Sequence, residues 1–162
     1  MKRLDQALLD QVVNAARTAP RQRSNYNFHP ALEDRVQRFI NAMEPHTYVC
    51  PHRHDGAHRW EMFLAISGRA AVLTFSDAGE VLTRTELSAT GPVRALELPG
   101  NTWHTLVSLE SGTVLFETKE GPYQAASDKD FAPWAPREGD AQCAALREWF
   151  RQAEPGMNVP VF

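Results

Sequence analysis

Residues 51–68 read PHRHDGAHRWEMFLAISG, and residues 98–108 read LPGNTWHTLVS. In the first stretch His52 and His54 stand two apart, so on a strand both imidazoles project from one face. Glu61 opens the apolar run that follows, and Gly68 ends it in a turn signal. In the second stretch Pro99-Gly100 leads into a run that carries His104. Around them the interval 47–118 holds short β-rich runs: TYVC, EMFLAI, AAVLTF, VLTRTEL, VRALEL, WHTLVS and TVLFET. Turn residues separate the runs at Ser67-Gly68, Asp77-Ala78-Gly79, Gly91-Pro92, Pro99-Gly100-Asn101 and Ser111-Gly112. Evenly spaced short strands of this kind predict an antiparallel sandwich or barrel.

Outside that interval the period changes. Leu4, Leu8, Val12 and Ala15/Ala16 recur at helical spacing, and a polar arm follows from Arg17 to His29. Pro30, with Glu33 and Asp34 behind it, reads as the start of a second helix whose face is Val36, Phe39, Ile40 and Met43. At the far end Cys143, Leu146, Trp149, Phe150 and Ala153 share a helical face that Pro155-Gly156 closes. The division is 1–46 (helices and arm packed on the barrel), 47–125 (β barrel) and 126–162 (loop and helix), within one domain.

Composition fits this reading. The chain has 162 residues, 43% hydrophobic and 23% charged, enough for a sizeable core without disulfide staples. Its two cysteines, Cys50 and Cys143, form no metal-like pair and suit a reducing cytoplasm. No apolar run reaches the roughly 20 residues of a membrane span, and Asp5 and Asp10 interrupt the N-terminus where a signal peptide needs apolar residues. With 17 basic and 20 acidic residues, no segment is basic enough for a nucleic-acid or membrane patch.

Three imidazoles and one carboxylate suit one divalent transition metal: Fe, Mn, Ni, Co or Zn. Four protein ligands leave open positions on an octahedron, which chemistry requires. A histidine pair alone is cheap in a chain with six histidines; the ordered set of paired His, Glu, turn Gly, Pro-Gly and His104 is not. The fourth ligand is either Glu61 or, within the spacer DGAHRW, His58.

That ordered set resembles the two-part motif of the cupins. The paired His, the Glu61–Gly68 spacing, and the order of Gly91, Pro99 and His104 match. The departures are the six residues between His54 and Glu61, Asn101 where a second glycine is usual, and Ser108 in place of a final asparagine. More narrowly, NYNFHP, DRVQRFINAMEPHTYVCPHRH, RWEMFLAISG, FETKEGPY and DKDFAPWAPREGD resemble the WbuC family of cupin-fold metalloproteins, over about Arg21 to Asp140. Members are often encoded among O-antigen polysaccharide genes. The resemblance implies an all-β, double-stranded β-helix (an antiparallel jelly-roll barrel), with His52, His54, Glu61 and His104 holding a metal.

The expected function is a metal-dependent enzyme on a small polar substrate such as a sugar or sugar nucleotide, of isomerase or epimerase type. The alternatives are a non-catalytic metal-dependent carbohydrate-binding module and an Fe(II)-dependent dioxygenase. Arg21, Arg23, Asn25, Asn27 and His29 on the arm, and Lys119 and Tyr123 after the last barrel strand, are candidate contacts to an anionic ligand. Those arginines can instead pair with the chain's own acids in DKDF or PREGD. Cys50, two before His52, reads as a core thiol rather than a nucleophile. Exposed barrel edges and arms predict a homodimer.

Overall fold

The computed structural model describes residues 1–123 and 129–161. Helix α1 (Gln6–Thr18) comes first, followed by strands β1 (Arg23–Asn27), β2 (Val36–Met43), β3 (His52–Arg53), β4 (Glu61–Ser67) and β5 (Arg69–Phe75). Then come β6 (Val81–Ser88), β7 (Ala95–Leu98), β8 (Trp103–Ser108), β9 (Thr113–Glu120), β10 (Asp130–Phe131) and helix α2 (Cys143–Gln152). Two antiparallel five-stranded sheets face each other, one ordered β1-β2-β9-β4-β7 and the other β10-β3-β8-β5-β6. This is the expected jelly-roll barrel. No helix among the described residues is long and apolar enough to cross a membrane.

Alternation along the strands sets the layers. On β9, Val114 and Phe116 point outward and pack with Val12 and Ala16 of α1, while Leu115 points into the core between the sheets. On β8, Trp103 and Val107 point out to Leu146 and Phe150 of α2, while Leu106 points in. The space between the sheets is itself divided. One half holds an apolar cluster that includes Met43, Phe63, Val72, Leu106 and Leu115. The inward residues of the other half are polar: Glu117 and Lys119 on β9, Gln37 on β2, Glu61 on β4 and His104 on β8, all buried.

Local chemistry explains the ends of elements. Asp5 caps α1, its carboxylate accepting the Leu8 N–H at 3.1 Å. Gly68 turns β4 into β5 at φ +66°, where an added Cβ would meet Thr113 Oγ1 at 2.6 Å. Only glycine fits that turn.

One expected element is different. Residues 36–43, predicted as a helix after Pro30, form strand β2, and part of the polar arm before it is strand β1, paired with it. The reason is that β2 is covered on both faces. Ile40 and Ala42 pack against α1, while Phe39, Asn41 and Met43 face the barrel interior. Apolar residues on both faces give Val36, Phe39, Ile40 and Met43, a spacing that imitates one helical face. TYVC, read as a strand, is an irregular entry to the short strand β3.

Candidate metal centre

His52 and His104 are register partners across β3 and β8, which brings their ring centroids to 4.5 Å. His54 follows two residues on, 5.2 Å from His52 and 6.0 Å from His104 by ring centroid. Glu61 enters from the facing sheet at the start of β4. One ligand atom from each of these four buried residues lies within 4.8 Å of all the others. Glu61 Oε2 is 3.2 Å from His104 Nε2 and 3.3 Å from His54 Nε2. His58 is exposed on the intervening loop and takes no part.

Asn101 explains how the long spacer is tolerated. It stands where a motif glycine is usual and adopts φ +64°, a conformation that asparagine tolerates better than most side chains. Its backbone N–H donates to the His54 carbonyl at 2.9 Å, and its Oδ1 accepts the Gly56 N–H at 2.9 Å. A glycine would supply the backbone contact and not the second. Asn101 thereby clips the 55–60 loop and fixes the backbone at His54.

The donor set fits a metal. Carbonyl oxygens only accept, so the ring nitrogens that face them carry the proton. His52 Nδ1 faces the Cys50 carbonyl at 2.9 Å, and His104 Nδ1 faces the Thr102 carbonyl at 2.9 Å. Both rings therefore present a lone pair at Nε2 toward the cluster, the usual arrangement of a ligating histidine. His104 Nε2 and Glu61 Oε2 are buried with no hydrogen bond between them or to any other described group. Burial holds His52 neutral, its pKa well below the ordinary imidazole value. The Glu61 carboxyl is held well below the ordinary glutamate value, the Lys119 ammonium acting against the penalty of burial. Neutral imidazoles beside a carboxylate are the protonation states a divalent ion requires.

The cluster is the floor of a cavity of about 680 Å³ between the sheets. Register places the cavity's other polar groups. Glu61 pairs with Lys119, Lys119 with Gln37, and on the next inward rung Phe63 pairs with Glu117 and Glu117 with Phe39. Glu117 is buried and accepts a hydrogen bond from Asn41 Nδ2 at 2.8 Å. Burial, followed by the negative charge of Glu61, pushes its pKa up to about 7. Five basic side chains line the cavity (Arg21, Arg23, Lys119, Lys129, Arg137) against three carboxyls (Glu61, Glu117, Glu138).

The other expected residues divide by role. Arg21 donates to both oxygens of Glu138 at 2.8 and 2.6 Å, and Arg23 donates to Glu138 at 2.9 Å and to the Tyr48 carbonyl at 2.9 Å. Both arginines therefore serve the chain's own PREGD acid, as the competing reading of the arm had it, while still lining the mouth. Asn25 donates to Asn27 Oδ1 at 2.9 Å, and both line the cavity. Lys119 Nζ lies 5.6 Å from the Tyr123 ring centroid. Cys50 is buried, its Sγ 3.4 Å from the Pro136 carbonyl, and burial raises its thiol pKa, so it is no activated nucleophile. Gln37, Asn41 and Arg137 line the cavity without having been singled out in the sequence, Phe39 had been placed on a helix face, and Glu138 belongs to the PREGD acids offered as partners of the arm arginines. Gln37, Phe39 and Asn41 were hidden by the helical reading of β2; the inward set at every second position is the signal that finds them.

Residues 4–87, just over half of the chain, match the family model DUF6016, described as a domain of unknown function. No curated protein matches the chain. Among solved structures, a cupin superfamily protein of Desulfitobacterium hafniense DCB-2 is similar with a TM-score of 0.53 and 13% identity, over 74% of this chain and 93% of that one. The capsular polysaccharide assembling protein CapF of Staphylococcus aureus is similar with a TM-score of 0.54 and 19% identity, over 67% of this chain and 29% of that longer one. KdgF from a Halomonas species gives 0.50 and 16% identity, over 67% of this chain and 87% of that one. At these identities the likeness is one of fold, and the fold is the cupin barrel.

Proposed function

The chain belongs to the DUF6016 family, a domain of unknown function, and we propose that it is a metal-dependent enzyme acting on a small, polar, anionic substrate. His52, His54, Glu61 and His104 hold one divalent metal. When bound, such an ion supplies Lewis-acid polarisation to an oxygen of the substrate. The chain's own groups do the rest. The basic excess of the cavity wall attracts the anion, the barrel excludes bulk water, and Glu117 holds or takes a proton.

One observation carries the reading. Two carboxyls lie on adjacent rungs of one wall, and their environments drive them apart: Glu61 stays ionised, while Glu117 is pushed up to about 7. Such pairs separate an electrostatic role from a proton-transfer role. Proton abstraction next to a polarised carbonyl or hydroxyl is the chemistry of isomerases and epimerases. The sugar or sugar-nucleotide substrate and the surface-polysaccharide setting rest on the resemblance to the WbuC family.

Incubating the metal-loaded protein in D2O with sugar acids and nucleotide sugars tests the reading by mass spectrometry. We expect deuterium to enter a carbon-bound position of one substrate, and Glu117→Gln to abolish that exchange while metal content stays unchanged. Tight binding of a sugar without exchange would make the protein a binding module. Oxygen consumption by an iron-loaded sample would favour the dioxygenase reading.

A further inference from the structure

His29 lies outside the metal cluster, on the far wall of the same cavity. It follows β1 and is 6% exposed. Its Nδ1 faces both backbone groups of Arg38 at 3.0 Å, the N–H and the carbonyl, and so is satisfied with or without a proton. The ring is held edge-on to Phe39, with centroids 6.4 Å apart and planes at 79°. Its Nε2 is buried and has no hydrogen-bond partner among the described residues. A buried ring nitrogen without a partner is costly and is kept where something else satisfies it.

Its place in the sheet says what that something is. His29 stands two residues beyond Asn27, which pairs with Phe39, so it lies at the outer end of the row Gln37–Lys119–Glu61. Three strand spacings, about 14 Å of sheet, separate that end from the metal ligand Glu61. Lys119, a buried cation, sits between them.

We propose that His29 is a specificity-determining residue whose unpartnered Nε2 hydrogen-bonds a hydroxyl at the far end of a ligand held at the metal centre, so that the ligand is an oxygen-rich acid of hexose size, on the order of 10 Å long. This rests on the metal-centred reading above and deepens it. A two-carbon acid at the metal cannot reach His29. A hexuronic acid or hexose phosphate spans the row, with its charge near Lys119. The cavity volume of about 680 Å³ is of the size that takes such a ligand.

Titration calorimetry on the zinc-loaded protein, with zinc content measured on the same samples, tests this with three probes: glycolate, D-glucuronate and glucose 1-phosphate. We expect one or both hexose acids to bind more tightly than glycolate. His29→Phe, which keeps the ring against Phe39, should weaken the hexose acid about tenfold and leave glycolate within twofold. Hexose acids indifferent to His29→Phe, or no tighter than glycolate, would overturn the proposal. Zinc absent from the wild-type protein would overturn the metal reading instead, and glucuronate binding that still depended on His29 would preserve the inference without it. A second measurement needs no variant. In the 15N–1H spectrum of the zinc-loaded protein, the His29 Nε2 signal should move with glucuronate and stay with glycolate; a signal indifferent to glucuronate would refute the assignment.

Discussion

His52 and His104 at the floor of the cavity and His29 at its far wall are the same side chain in different company. At the floor, each Nδ1 meets a carbonyl at 2.9 Å, and the rings gather with His54 and Glu61 so that one ligand atom from each lies within 4.8 Å of the others. At the far wall, Nδ1 meets both backbone groups of Arg38 at 3.0 Å, and Nε2 has no partner among the described residues. The floor collects four donor groups at one point, while the wall presents a single nitrogen to the cavity. Burial is similar at both ends, so the difference lies in the neighbours.

The strongest way to break this contrast is to exchange the losses. His104→Ala should lower metal affinity at least 100-fold, whereas His29→Phe should leave metal content unchanged; elemental analysis of both variants checks this. A large metal loss in the His29 variant would mean that the two ends are not separate.

The next effect sharpens the contrast along the wall. Glu117 has its folded-state pKa raised, so its contribution to stability is fully present below the ordinary glutamate value and is lost as pH rises through about 7. His52 has the opposite sign: with its pKa lowered, its contribution is present above the ordinary imidazole value and is lost as pH falls through it. In the metal-free protein, Glu117→Gln should remove a stability loss of up to about 3 kcal/mol between pH 5 and 8. Thermal melts of variant and wild type across that range check it, and parallel curves would refute it.

The smallest effects lie at the mouth. Arg23, whose side chain is 15% exposed, joins Glu138 to the Tyr48 carbonyl, while Arg21 is 61% exposed. Arg23→Met should cost about 1–2 kcal/mol and lower the melting temperature by several degrees. Arg21→Met should cost about 0.5 kcal/mol or less. Equal losses in the two melts would contradict this ranking.

The floor was legible in the sequence because its clustered side chains come in short, ordered spacings: His52 and His54 two apart, and His104 just after Pro99-Gly100. The competition between Glu61 and His58 was not decidable there, because it turns on how Asn101 clips the loop. The far wall was largely illegible. Gln37, Phe39 and Asn41 lay inside a stretch that reads as a helix because α1 covers its other face. The partner of Arg23 is Glu138, 115 residues away; PREGD stood among the candidates, but no local pattern decides between it, DKDF and a ligand. His29 could be flagged from its place in NYNFHP, but that Arg38 across the strand pair satisfies its Nδ1 and leaves Nε2 to the cavity is visible only in the fold.

The clasp of Arg21 and Arg23 on Glu138 also orders events in time. A growing chain makes the arm first, then the barrel, and Glu138 only near its end. When residues 4–87 have emerged, three of the four clustered side chains exist, but His104, β8 and β9 do not. The four-residue cluster and the mouth can therefore be completed only after most of the chain is made, and a chain that stopped short of Glu138 would leave Arg21 and Arg23 without the acid they grip.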